Sequence, residues 1–259
     1  MDPLFQVQVL SQTHKPQTLI WQALHQDYSS KYLPEDSANT PDETEAGNIA
    51  VKKLLKGDRG HYGPLEHPQI TFAVGYFPHS TMQQMRTHRV GVSFDVQSFR
   101  YTSEAIRQLG DLCLHRINCS SSLDNEMDDL AEAIEKVFYL RPLGEYTDRT
   151  GKRYAYTEDQ RHEDLVCCAE AAMRYVNRYS QGMSEEHARQ TLPFDLRQHW
   201  VLSANLRALM HLLDLRWKKD AQLECQVLCG HIWPHFEEWA PEIARWYLEN
   251  RATKARLSP

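Results

Sequence analysis

The chain of 259 residues reads as an α+β fold: one domain over 1–259, with a central, mainly antiparallel sheet and a helix-rich C-terminal half. Three observations predict it. Two early segments, "LFQVQVL" and "HPQITFAVGYF", alternate apolar and polar residues with the period of two of a half-buried strand. "GEYTDRTGKRYAYTE" sets Asp148 to Gly151 between aromatic-rich flanks, a hairpin signal. From residue 162 onward, four successive segments repeat apolar residues at helical spacing.

In chain order, Phe5, Val7 and Val9 share one side of the first strand. A helix is expected over "QTLIWQALHQDY", with Leu19, Ile20, Ala23 and Leu24 at helical spacing, and another over "EAGNIAVKKLLKG", closed by Gly57. Gly63-Pro64 forms a turn into the second strand, which carries Ile70, Phe72, Val74 and Tyr76 and stops at Pro78. Ser80 can cap a helix through "TMQQMRTHRV" that ends at Gly91, and "VQSFRYT" returns to an extended pattern. The polar run "CSSSLDNEMDD" loops into a helix over "DDLAEAIEKVFYL". Helices follow at "HEDLVCCAEAAMRYVNRYSQG", "SEEHARQTL", "QHWVLSANLRALMHLLDLR" and "DAQLECQVLCGHIWPHFEEW". No repeat or flexible linker divides the chain.

Composition narrows the function. The net charge is −6, so the basic stretch at 83–102 is a local feature and a broad nucleic-acid surface is not expected. No run approaches the roughly 18 apolar residues of a membrane span. The start "MDPLFQVQVLSQTHKPQ" lacks a basic n-region and an apolar h-region, so a cytoplasmic protein is expected. The six cysteines form no CxxC and read as reduced structural thiols.

The chemistry concentrates in "QQMRTHRVGVSFDVQSFRYT". It holds Arg86, Arg89, Arg100 and His88 but one acid, Asp95, among apolar residues that suggest partial burial. Buried arginines need partners, and an anionic, planar ligand would supply them. In "NLRALMHLLDLR", Leu202, Leu206, Leu209 and Leu213 make one stripe, with Asn205 and Arg216 on one margin and Arg207 and His211 on the other. Arg189 can pair with Glu185 or Glu186 on its own helix, or with a ligand. The chain has no Walker loop, no GxGxxG and no GxSxG, so phosphates would be held by side chains, chiefly arginines. His61, Glu66 and His67 match no zinc spacing, so no metal is expected and the histidines are taken to bond to backbone.

"RTHRVGVSFDVQSFRY" resembles the signature of the flavin-dependent thymidylate synthases: Arg-His-Arg, a spacer, then Ser-x-Arg-Tyr. Here His88-Arg89, eight residues, Ser98, Arg100 and Tyr101 supply it. "HYGPLEHPQITF", "ARQTLP", "NLRALMHLLDLR" and "AQLEC" resemble further blocks of that family in the same order. The stretch from about 103 to 162 looks like a family-variable insertion.

The resemblance implies methylation of dUMP to dTMP, with methylenetetrahydrofolate as carbon donor, FAD as carrier and NADPH as reductant. It places His88, Arg89, Asn205, Arg207 and His211 on FAD, with His61 near the flavin ring. Gln84, Ser98, Phe99, Arg100 and Arg189 fall to dUMP, the arginines taking its phosphate. Arg216 falls at the uracil edge, where its charge favours the ionised ring and a nucleophilic C5. Ser98 has no adjacent base, which favours phosphate binding over a nucleophile. The resemblance also implies a homotetramer with sites shared between subunits, Gln84 and Arg189 coming from a different chain than Arg216.

This chain departs from the family pattern. Thr87 stands where the first arginine of Arg-His-Arg falls, with Arg86 just before it; either lies against the cofactor. The spacer Asn-Glu is Asp95-Val96, which leaves Asp95 or Gln97 to replace the glutamate. Two other classes compete: a nucleotide- or RNA-binding module built on the basic segment, and a metal hydrolase built on His61, His67, His79 and His88.

Overall fold

The computed structural model describes residues 2–57, 60–119, 127–148 and 150–252. The strands are β1 (Gln6–Gln12), β2 (Gln69–Pro78), β3 (Val92–Val96), β4 (Gly144–Thr147), β5 (Arg153–Tyr156) and β6 (Arg197–Asn205). The helices are α1 (Pro16–Gln26), α2 (Glu43–Ala50), α3 (His79–Met85), α4 (Glu104–Cys119), α5 (Met127–Val137), α6 (Glu158–Ser180), α7 (Glu185–Ala188), α8 (Leu206–Arg216), α9 (Leu223–Trp239) and α10 (Pro241–Asn250). The strands form an antiparallel sheet of order β1-β2-β6-β3 and a separate β4-β5 hairpin. The α+β class expected from the sequence is the class observed.

Local chemistry accounts for several boundaries. Pro16, with its φ already fixed, opens α1. Asp42 caps α2 by accepting from the Glu45 amide at 2.8 Å. Thr157 and Gln160 close a capping box at the head of α6. In β2, Ile70, Phe72 and Val74 are buried in alternation, as a strand with one face on a core requires.

The chain divides into two compact units, each assembled from separate segments. Unit 1 comprises 1–5, 75–83 and 96–200, and unit 2 comprises 6–74, 84–95 and 201–259, so the chain crosses from one to the other just before β1 and inside β2, α3, β3 and β6. Unit 1 packs Ile106, Leu109, Cys113, Leu130, Ile134, Leu165 and Tyr175 from α4, α5 and α6, with Phe138 just after α5, into one core. A Cβ at Gly110 would lie 2.5 Å from the Ala172 carbonyl oxygen, so glycine is what lets α4 approach α6 this closely. Arg197, buried, has a partner at each of its three nitrogens: it donates to the Asp2 carboxylate at 2.6 Å, the Glu135 carbonyl at 2.6 Å and the Tyr76 carbonyl at 2.9 Å.

Unit 2 buries Ile20, Leu54, Leu65, Ile70, Leu209, Leu213, Ile232, Phe236 and Tyr247. Two buried polar clusters lie within it. Gln17 Nε2 donates to the Glu242 carboxylate at 2.6 Å, while the Gln17 backbone N–H donates to Glu43 at 2.7 Å. Arg251 pairs with Asp214 on α8, both almost fully buried. A buried pair of this kind is costly to break from one side, because the survivor is left uncompensated.

Four expectations need correction. The helix after Pro78 is α3, which starts at His79 and ends at Met85; Ser80 lies inside it, and 86–91 is a loop. The extended segment is β3 at Val92–Val96, and Phe99 to Tyr101 form a turn. "QHWVLSAN" is strand β6, so the Leu202 stripe joins a strand residue to helix residues. Gly63–Glu66 is a 3-10 turn, and His61 bonds to a carboxylate, Asp27 Oδ2 at 2.9 Å, instead of backbone. The loop expected in the polar run after Cys119 falls on 120–126, outside the described residues, as does Arg149 in the hairpin turn. All six cysteines are free, with Cys113, Cys168, Cys225 and Cys229 buried.

Candidate active site

The site in unit 2 is built where β6 turns directly into α8. Asn205 ends the strand in an extended conformation, and its Oδ1 accepts from the Ala208 amide at 2.8 Å as the helix cap. Its backbone N–H donates to the Gly91 carbonyl at 3.0 Å. Gly91 has φ +68°, and a Cβ there would fall 2.5 Å from Asn205 Nδ2. Glycine is therefore required twice, by the backbone and by the close approach. This clamp fixes the end of the 86–91 loop beside the start of α8.

At the far end of α8, Arg216 reaches back to the beginning of the same loop. Its Nε donates to His88 Nε2 at 2.9 Å, Nη1 to Gln84 Oε1 at 3.0 Å and Nη2 to Thr87 Oγ1 at 2.7 Å. Gln84 and Arg216 of one chain thus touch, whereas the family resemblance implied that they come from different chains. His88 is buried, and burial, followed by the charge of Arg216 and then by His211, pushes its pKa down to about 4. The ring is neutral at ordinary pH. Accepting at Nε2 places its proton on Nδ1.

The remaining cofactor candidates lie in the same unit. The His211 ring stands edge-on to His88 at 5.4 Å, and its Nδ1 is buried without a hydrogen-bond partner among the described residues. Arg207 pairs with Glu66 at 2.6 Å and lies over the Tyr62 ring at 5.7 Å. His61 bonds Asp27, with Tyr28 edge-on to its ring. Arg86 and Arg89 are exposed, and neither side chain has an ion pair or hydrogen bond among the described residues. Unpaired guanidiniums and an orphaned buried imidazole nitrogen are what an anionic cofactor rich in hydrogen-bonding groups would satisfy.

Ser98, Phe99, Arg100 and Arg189 belong to unit 1. Ser98 opens a turn: its carbonyl accepts from the Tyr101 amide at 2.9 Å and from the Thr102 hydroxyl at 3.1 Å. Its hydroxyl has no histidine or carboxylate partner among the described residues, which favours phosphate binding over a nucleophilic role. Phe99 is buried in the unit 1 core. Arg100 stands over the Tyr101 ring and is 4.0 Å from Glu186, both exposed. Arg189 does not take Glu185 or Glu186; Glu185 instead accepts from the Ser103 hydroxyl at 2.5 Å. Gln97 is committed to His199 and Thr102, while Asp95 is exposed and unpaired among the described residues.

Sequence reading missed the Thr87–Arg216 and Glu66–Arg207 contacts, which join residues 129 and 141 positions apart. Glu66 had a usable signal, an acid in a block otherwise rich in histidine and glycine. Among the described residues no group of three or more His, Cys, Asp or Glu side chains is placed to hold a metal ion. No described helix is long and apolar enough to cross a membrane.

An arginine- and histidine-rich loop leading into a sheet strand, with a capped helix returning Arg216 to that loop, places three arginines at one site of an α+β protein. The family model described as thymidylate synthase complementing protein matches residues 8–242. A flavin-dependent thymidylate synthase of Haloarcula marismortui is 31% identical, covering 98% of this chain and 99% of the relative, and one of Halobacterium salinarum is 29% identical with the same coverage. The chain belongs to the flavin-dependent thymidylate synthase family. The fold agrees with solved structures of a UMP/dUMP methylase from Streptomyces cacaoi bound with 5-Br UMP (TM-score 0.65, 18% identity, 98% of this chain and 96% of that one) and of thymidylate synthase X from Helicobacter pylori with FAD and dUMP (TM-score 0.64, 18% identity, 88% and 92%).

Proposed function

We propose that this chain, acting over its whole length as one catalytic domain in the cytoplasm, methylates dUMP to dTMP. Methylenetetrahydrofolate is the carbon donor and NADPH the reductant. The observation that carries this reading is the Arg216 guanidinium, held by Gln84, Thr87 and neutral His88 in a member of a thymidylate-forming family.

The residues present fit FAD. Arg86 and Arg89 offer two unpaired cations for a pyrophosphate, and the orphaned His211 Nδ1 marks a polar group awaiting a partner. Asn205, Arg207 and His88 complete the cofactor set, with His61 toward the flavin ring. FAD, when bound, supplies the carbon-carrier and hydride chemistry. The chain itself binds, orients and stabilises charge. Arg100 and Arg189 take the dUMP phosphate, helped by the Ser98 hydroxyl. The Arg100–Glu186 contact is long and exposed, so it yields readily to a phosphate. Arg216 faces the uracil edge, where a permanent cation stabilises negative charge on the ring and leaves C5 the better nucleophile. Asp95, the unpaired carboxylate, replaces the family's spacer glutamate. The active species is a homotetramer with sites shared between subunits.

Purified protein tests this directly. The expected result is a flavin absorption spectrum and dTMP formation that requires dUMP, methylenetetrahydrofolate and NADPH together. A colourless protein that takes up no FAD, or one that binds polynucleotide with a steep salt dependence, would refute it.

A further inference from the structure

Thr87 stands where the family motif has a cation, and its hydroxyl is already engaged. It donates to the Gln84 carbonyl at 2.8 Å, closing the turn after α3, and accepts from Arg216 Nη2 at 2.7 Å. A serine or threonine hydroxyl has one proton to give, so the donor to Gln84 is fixed and the lone pair toward Arg216 is aimed by it. An arginine in this place would face Arg216 with a like charge; threonine faces it with an acceptor.

We infer that Thr87 is a positioning residue for Arg216, holding the guanidinium by its Nη2 so that the fork keeps one orientation toward a pyrimidine ring, and is not a cofactor contact. The inference rests on the proposed placement of Arg216 at the uracil edge. A guanidinium carries five N–H donors; His88, Gln84 and Thr87 take one each, leaving one on Nη1 and one on Nη2. Those two N–H groups remain for acceptors of a planar ligand. His88 holds the Nε side and Gln84 the Nη1 side. Without Thr87, the rigid guanidinium plane is held at two nitrogens instead of three and can tilt about the line joining Nε and Nη1, so its free N–H groups lose their fixed aim.

The test uses FAD-loaded protein carrying Thr87→Val, Thr87→Ser or Arg216→Lys. Thr87→Val keeps shape and removes the hydroxyl at an exposed position. It is expected to slow methyl formation about 10-fold, by analogy with the loss of one aimed hydrogen bond in the transition state. FAD affinity and the rate of flavin reduction by NADPH should stay within two-fold of the unchanged protein. Thr87→Ser should restore methyl formation, which a purely steric role for the side chain would not require. If Arg216→Lys slows methylation and Thr87→Val does not, the positioning role is wrong. If Thr87→Val weakens FAD binding more than it slows methylation, Thr87 is a cofactor contact and the inference is overturned. If Arg216→Lys itself leaves methylation unchanged, the proposed role of Arg216 falls first.

Discussion

Replacing Arg216 with lysine keeps the charge and removes the fork. In the structure the guanidinium makes three hydrogen bonds from three different nitrogens, at 2.9 Å to His88, 3.0 Å to Gln84 and 2.7 Å to Thr87. An ammonium is a point donor on a flexible stem and cannot span three acceptors spread around a plane. Keeping one bond and losing two, at about 1–1.5 kcal/mol each, removes roughly 2–3 kcal/mol of orientation. If that orientation is used in the transition state, methyl formation slows on the order of 10²-fold, at about 1.4 kcal/mol per factor of ten. The assay separates two half-reactions under anaerobic conditions: flavin reduction by NADPH without dUMP, and dTMP formation from pre-reduced enzyme with dUMP and methylenetetrahydrofolate. Reduction is expected within a few-fold of the unchanged rate, since it needs no activated uracil. Equal slowing of both would make Arg216 a cofactor or structural residue and refute the reasoning.

Arg100→Ala and Arg189→Ala should each weaken dUMP binding by roughly 2–4 kcal/mol while sparing FAD, measured by titration calorimetry; loss of FAD with dUMP retained would reverse their assignment. Ser98→Ala should keep measurable turnover with reduced dUMP affinity, and complete loss of methylation with dUMP binding intact would restore a covalent role. Gly91→Ala forces a side chain into φ +68° and against the Asn205 cap; the strain and the weakened cap together cost roughly 2–3 kcal/mol, read by chemical denaturation. His88 has a folded pKa of about 4, below the 6.5 of an unfolded histidine. The unfolded chain therefore binds the extra proton first, and stability present above pH 6.5 is lost as the pH falls toward 4. His88→Gln, which keeps an acceptor without that titration, should show a flatter melting-temperature profile across this window; an equally steep profile would place the titration elsewhere.

The strands with one buried face were legible because alternation survives in the sequence, as at Ile70, Phe72 and Val74. The β6–α8 junction was not, although its signals were present: Trp200, Leu202 and Ala204 are buried with a period of two, and Asn205 is a strong helix cap. A largely apolar run with both periods in it invited a single helix. Helix α4 was passed over although Ile106, Leu109, Gly110 and Cys113 fall on one buried face. Gly110 weakens a helix intrinsically, and only its approach to α6 explains its place. The candidate site residues came from a family signature and the order of further blocks along the chain. Their partners were hidden, because a hydrogen bond between Thr87 and Arg216 leaves no trace in either neighbourhood.

The repeated crossing of the chain between its two units, within β2, α3, β3 and β6, bears on how the protein is made. Unit 2 cannot close until residues from Val201 onward have emerged from the ribosome, since they carry α8, α9 and α10. Its first seventy or so residues must wait, part-exposed, while the segment 96–200 is synthesised and has the chance to fold around its own local helices. A chain stopped near residue 200 would therefore hold a largely complete unit 1 beside an unclosed β1–β2 segment. The same crossing means that no single cut releases either unit as one continuous fragment.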